Sequence, residues 1–184
     1  MPVPEIDSHE FRRACGQFAT GVMVITTRCV DDGDHGMTAN AFMSVSLDPA
    51  LIAISVAEKA KMLGRIRKAS RFAVSILSRP MESIARHFSG KMKHHLPEVF
   101  EECDGLPVIR NALAAFTADV AEEILAGDHT IFLGRVSSLI QGSEHEPLVF
   151  NRGHFAVLAE CCNHAHIPTT LLAPASELPQ PPQK

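Results

Sequence analysis

The sequence predicts a mainly β fold, a largely antiparallel barrel with a few peripheral α-helices. Three observations carry that prediction. Short runs rich in Val, Ile and Thr recur from Val22 to Leu158, separated by Gly, Asp and Pro turn signals. Helical spacing of apolar residues is confined to three short stretches. Strands and helices never alternate with the regularity of a parallel sheet.

In chain order, Ser8 reads as an N-cap opening a helix whose Phe11, Ala14, Cys15 and Phe18 form one apolar face. Val22 to Thr27 is a first strand, and Asp31 to Gly36 a hairpin turn by composition. Residues 36–49 supply a second strand, and Leu51 to Val56, apolar on both faces, a buried third. Lys59 to Ala69 is an amphipathic helix with Met62, Leu63 and Ile66 on one side. Arg71 to Leu77 is a strand, and Pro80 suits the first turn of a helix reaching Phe88 with Ile84, Ala85 and Phe88 inward. Lys91 to Pro97 is a basic loop, and Phe100 to Asn111 reads as irregular. Ala112 to Glu122 and Thr130 to Ile140 are β-type runs. Leu148 to Phe150 and His154 to Leu158 flank a tight Asn151-Arg152-Gly153 turn. Residues 8–158 form one domain, and 159–184 a C-terminal extension whose Pro-rich end reads as flexible.

Composition narrows the function classes. A net charge of −4 gives no basic footprint for nucleic acid. No apolar run approaches the roughly 20 residues of a membrane span, and the N-terminus lacks signal-peptide character, which points to the cytoplasm. Five cysteines without framework spacing read as reduced thiols. Trp and Tyr are absent, so an aromatic contact to a ligand falls to Phe or His.

Residues 36–49 (Gly-Met-Thr-Ala-Asn-Ala-Phe-Met-Ser-Val-Ser-Leu-Asp-Pro) stand out. Thr38, Asn40, Ser44 and Ser46 fall at even positions, so in an extended chain they line one face. That row is either a solvent face or a face that hydrogen-bonds a polar planar ligand.

Six stretches occur in a familiar order: Phe11-Arg12-Arg13-Ala14 with Phe18-Ala19-Thr20-Gly21-Val22; Thr38-Ala39-Asn40 with Ser44 to Pro49; Arg71 to Leu77; Phe88-Ser89-Gly90; Gly127-Asp128-His129-Thr130; and Phe150-Asn151-Arg152-Gly153. Together they resemble the flavin reductase-like, FMN-binding split-barrel family. That family includes the short-chain NAD(P)H:flavin reductases that serve two-component monooxygenases. The resemblance implies a homodimeric split β-barrel that transfers hydride from NADH or NADPH to FMN or FAD, with a separate monooxygenase as partner. It places Met37, Thr38, Ala39, Asn40, Ser44, Val45 and Ser46 against the flavin, and Phe88, Ser89 and Gly90 by its phosphate or nucleotide side. It places His129, Phe150, Arg152 and Gly153 where the nicotinamide nucleotide approaches. Flavin carries the hydride chemistry itself, which suits a sequence with no evident catalytic triad.

One departure from the family stands out. Relatives commonly carry Ser-x-Thr before the helix after the third strand, binding the flavin phosphate at the helix start. Here those positions are Ala60 and Met62. Either Lys59 and Lys61 replace the lost hydroxyls with charge, or the phosphate contact is weak and flavin behaves as a passing substrate. Two alternatives stay open beside the flavin reductase: a flavin binder without turnover, and a reductase of a corrinoid, metal chelate or quinone. No metal is expected, because Cys161-Cys162-Asn163-His164-Ala165-His166 lacks zinc-ligand spacing.

Overall fold

A computed structural model describes residues 6–31, 33–90, 98–142 and 144–158. The elements run α1 (Ser8–Cys15), β1 (Thr20–Gly21), β2 (Met23–Cys29), β3 (Gly33–Ala39), β4 (Phe42–Leu47), β5 (Ala50–Ala57), α2 (Lys61–Ala69) and β6 (Arg71–Ile76). After a 3₁₀ turn (Arg79–Met81) come α3 (Glu82–Phe88), β7 (Phe100–Cys103), β8 (Leu106–Ile109), β9 (Ala114–Ala126), β10 (His129–Gln141), β11 (Val149–Asn151) and β12 (His154–Ala156). The basic loop Lys91–Pro97, the Cys161–His166 segment and the whole extension 159–184 lie outside the described residues.

Seven antiparallel strands form one sheet in the order β3-β2-β6-β9-β10-β5-β4. Its two edges, β3 and β4, are consecutive in the chain and joined by Asn40-Ala41 alone. Laid flat, seven strands hold their edges about 29 Å apart. Three Cα steps from Ala39 to Phe42 reach at most about 11 Å. The sheet therefore curls until its edges meet without pairing, which makes a barrel with one open seam. The mainly β, split-barrel expectation is borne out.

Alternation fills the barrel. Ile25, Ile52, Ile54, Val56, Phe72, Val74 and Phe132 point inward, and α2 lays Met62, Leu63 and Ile66 onto them. Each such side chain contributes roughly 1.5–3 kcal/mol on leaving water. On the other side of β2, Val22, Val24 and Leu77 form a second cluster with Ala85 of α3 and Leu148.

Three local readings are corrected. Asp7, not Ser8, caps α1: its Oδ1 accepts from the Glu10 N–H at 2.9 Å. The apolar face of α1 is not buried against the described residues. Phe100 to Asn111 is not irregular but holds the β7–β8 hairpin, turned at Asp104 (φ 48°) and Gly105 (φ 77°), the paired left-handed residues of a tight hairpin. Pro107 sits in a two-stranded ladder, where its missing N–H is tolerated. Residues 36–49 make two strands rather than one, on opposite edges of the sheet, and a bulge falls between Ser44 and Ser46. The single polar face expected for Thr38, Asn40, Ser44 and Ser46 is broken twice.

Candidate functional site

At the β3 edge of the barrel lies a cleft of about 400 Å³. Three elements build it: the end of β3 with Asn40, the helix α3, and the β11–β12 hairpin.

The helix is fixed against β3 by two features. Gly36 has no side chain, and the ring of Phe88 lies where a Cβ would stand, within 2.6 Å of that point. A glycine inside a strand often marks such a close approach. Two residues on, the Thr38 hydroxyl donates to the Ala85 carbonyl at 2.6 Å. Thr38 is thus oriented by the helix and keeps its lone pairs as acceptors.

The hairpin is anchored to the first helix. The Arg152 N–H donates to the Gly16 carbonyl at 2.9 Å, and the Asn151 amide donates to the carbonyls of Gly16 and Gln17. Arg152 (φ 48°) and Gly153 (φ 83°) make the tight turn. Phe150 and Phe155 pack edge-on with ring centroids 5.9 Å apart. The His154 Nδ1 stands 2.9 Å from the Arg152 carbonyl, which only accepts, so Nδ1 carries the proton and Nε2 is left for another partner.

Of the residues expected from sequence, Thr38, Ala39, Asn40, Ser89, Phe150 and Gly153 line this cleft together. Asn40 also donates to the Thr20 hydroxyl at 3.1 Å. That bridge stands between the cleft and a second hollow of about 260 Å³ lined by Phe18, Phe42 and Ile76 among others.

The remaining expected residues lie elsewhere. Met37 packs against the barrel core on the opposite face of β3. Ser44, Val45 and Ser46 belong to the edge strand β4. Phe88 holds α3 to β3, and Gly90 (φ 75°) follows the end of that helix. Arg152 is exposed in its turn.

His129 opens β10, paired with Ala57 and Ala126, its Nδ1 2.7 Å from Asp128 Oδ1. That hydrogen bond, followed by the imidazole's charge, holds the Asp128 carboxyl below the usual carboxylate range, and Lys59 adds to the effect. His129, Asp128 and Lys59 thus form a separate polar group. Ala60 caps α2 with no side-chain hydrogen bond. Lys61 acts on His35, whose imidazole is pushed down by burial first and then by Arg65 and Lys61. His35 and Met37 share one face of β3, opposite Gly36 and Thr38 on the side of α3.

Sequence reasoning missed Val22, Glu82, Arg86, His154 and Phe155, all of which line the cleft. Only Glu82 and Arg86 left a readable signal, an i,i+4 pair on a helix. Among the described residues no group of three or more His, Cys, Asp or Glu side chains is placed to hold a metal, and no helix is long and apolar enough to cross a membrane.

Comparison with known proteins agrees with this architecture. Residues 15–159 match the family described as flavin reductase like domain. The chain is 41% identical over 157 residues to an NADH-dependent flavin reductase of Rhodococcus sp., covering 84% of this chain and 89% of that protein. It is 38% identical over 145 residues to the reductase component of 4-hydroxyphenylacetate 3-monooxygenase from Thermus thermophilus, covering 78% and 93%. The solved structure of flavin reductase PheA2 in its native state superposes with a TM-score of 0.80 at 46% identity, covering 84% of this chain and all of that one. With six ordered motifs, a barrel open along one seam and a match over most of its length, the chain belongs to the flavin reductase-like family.

Proposed function

We propose that this chain is an NADH-dependent flavin reductase that reduces FMN or FAD and releases the product to a separate monooxygenase. The observation that carries this reading is the cleft at the β3 edge, where Thr38, Asn40 and Ser89 share a lining with Phe150 and Phe155 in a chain of this family. Flavin supplies the redox chemistry, taking a hydride from the dihydronicotinamide and a proton from water. The protein's part is binding and alignment.

The residues present suit a planar heteroaromatic group with a polar edge. The volume falls within the usual range for small-molecule sites, roughly 300–1,000 Å³. Thr38 Oγ1 accepts, Asn40 offers a carbonyl and its second N–H, and Ser89, which donates to the Arg86 carbonyl at 2.8 Å, keeps acceptor capacity. The two Phe rings supply an apolar wall. Nothing in this arrangement demands an acid–base catalyst.

The experiment is a steady-state assay at 340 nm with NADH or NADPH and, in turn, riboflavin, FMN and FAD. Flavin-dependent oxidation of NADH is the expected result. Absence of turnover with all three flavins rejects the reading.

The working unit we propose is a homodimer. Met43, Ala53 and Leu133 lie side by side on the outer face of β4, β5 and β10, opposite the inward Phe132 and Ile54. Ile131 and Ile124 continue the row. Met43 is 59% and Ile124 44% exposed. An apolar sheet face of this kind favours a second protein surface over water. Met43→Glu places a charge there without touching the barrel interior. Sedimentation should show a dimer for the wild type and a shift to monomer for the variant; a monomeric wild type refutes the assembly.

A further inference from the structure

Arg86 is the only fixed cation among the described residues that line the cleft. Its Nε donates to Glu82 Oε1 at 2.7 Å, and Nη2 stands 2.5 Å from the same oxygen. Its Cζ sits 5.1 Å from the centroid of the Phe155 ring, across the cleft on β12. Among the described residues Nη1 has no hydrogen-bond partner.

An i,i+4 pair on a helix surface is common and contributes only a few tenths of a kcal/mol. This pair differs in its surroundings. The guanidinium stands over an aromatic ring from another element, in a cleft whose other polar groups are hydroxyls, an amide, an imidazole and the Glu82 carboxylate itself. The ring on one side and the Glu82 carboxylate on the other restrict the fork, so less freedom remains to be lost when an anion binds. Arg suits phosphate because its N–H groups match two phosphate oxygens at once.

The two lysines expected to replace the lost hydroxyls are placed away from this cleft. Lys61 acts on His35, which stands on the α2 face of β3, away from Thr38. Lys59 groups with Asp128 and His129. The two hydroxyls that relatives place before α2 are replaced by Ala60 and Met62. Among the described residues that line this cleft, the one fixed positive charge a phosphate meets is Arg86.

We propose that Arg86 binds a phosphate of the nucleotide that occupies the cleft, exchanging the Glu82 carboxylate for it. The assignment rests on the reading of the cleft as a flavin or nicotinamide nucleotide site. FMN, FAD and NADH all carry the required phosphate ester, and Glu82 is the internal anion that keeps the cation neutralised in between. Arg86 is a specificity determinant, not a participant in hydride transfer.

The test compares ligands with and without phosphate in wild type and in Arg86→Met, which keeps the length of the side chain and removes its charge. In one arm, kcat/KM is measured for FMN and for riboflavin at saturating NADH. In the other, NADH is compared with the phosphate-free donor 1-benzyl-1,4-dihydronicotinamide at saturating riboflavin. If the flavin's phosphate is bound, the FMN-over-riboflavin preference falls at least about tenfold and the donor preference holds, the effect of losing one charged hydrogen bond. If the nicotinamide nucleotide's phosphate is bound, the donor preference falls instead. Arg86→Lys recovers part of the lost preference, and Glu82→Gln raises it. Both preferences within twofold of wild type in Arg86→Met overturn the proposal. Should the wild type not oxidise NADH with any flavin, the functional reading fails first. Calorimetric binding of FMN and riboflavin to wild type and Arg86→Met then still decides whether Arg86 holds a phosphate.

Discussion

Gly36→Ala is expected to lower kcat/KM for flavin at least about tenfold, although residue 36 does not line the cleft. The new methyl carbon would stand 2.6 Å from two carbons of the Phe88 ring. That ring has little room to yield, because Phe100 lies 5.7 Å and His87 5.0 Å from it, centroid to centroid. Overpacking of this kind costs about 1–3 kcal/mol when the backbone must shift to relieve it. The element that shifts is α3, held to β3 here and at the Thr38–Ala85 hydrogen bond. Lifting α3 displaces Ser89 and Arg86 from Thr38 and Asn40. Binding should therefore fall further than stability does. A second substitution separates this cause from simple misfolding: Phe88→Ala removes the ring that a Cβ at position 36 meets. The double variant should recover activity and thermal stability beyond the sum of the two single effects. A Gly36→Ala protein with wild-type kcat/KM and an unchanged melting temperature would sink the argument.

The same contact explains why part of the site was legible in the sequence and part was not. Strands betray themselves through β-branched residues and their two-residue period, so β2, β5, β6, β9 and β10 were readable from composition. The Asp104-Gly105 turn carried the hairpin signal, but Pro107 obscured it, because proline's missing N–H matters only inside a wider sheet. Thr38, Asn40, Ser89 and Phe150 were recognised through ordered motifs. Glu82, Arg86, His154 and Phe155 belong to no motif and come from two segments about 70 residues apart in sequence. The pairing of residues 146–148 with 77–79 and Val22 brings those segments to the same cleft: the Leu148 N–H donates to the Leu77 carbonyl and the Val22 N–H to the Leu148 carbonyl. Phe88 shows the opposite failure. Its position in a motif marks it as a ligand residue, whereas its ring packs where the side chain of residue 36 would be. Sequence patterns report which face a residue occupies; they do not report which neighbouring element packs against that face.

The largest loss of stability is expected from Phe72→Ala in β6. Phe72 is fully buried, and its ring occupies the space opposite Gly134 of β10: a Cβ on Gly134 would come within 2.5 Å of the ring tip and 2.9 Å of the Ala118 Cβ. One large and two small residues from three adjacent strands, β6, β9 and β10, thus share a single volume of the barrel wall. Removing the ring leaves a cavity that a closed sheet cannot collapse into, because each strand is pinned by ladders on both sides. A buried Phe→Ala change costs about 3–5 kcal/mol, a large part of the roughly 5–15 kcal/mol that holds a domain folded. At roughly 2–4 °C per kcal/mol for a chain of this size, the melting temperature should fall by about 6–20 °C. Scans belong at one fixed protein concentration, since an associating protein melts according to its concentration. Gly134→Ala alone should cost about 1–3 kcal/mol by overpacking. In the Phe72→Leu background the same methyl should cost much less, because the shorter side chain vacates the place where the ring tip stood. Additive losses in that cycle would show that the two positions do not share a volume. A Phe72→Ala loss below about 1 kcal/mol, well under the range for a buried ring, would show that the barrel is not filled at this point. Because Gly134 lies next to Leu133 on the proposed dimer face, a strand bent by overpacking also disturbs that surface. Barrel packing and subunit association are then expected to weaken together.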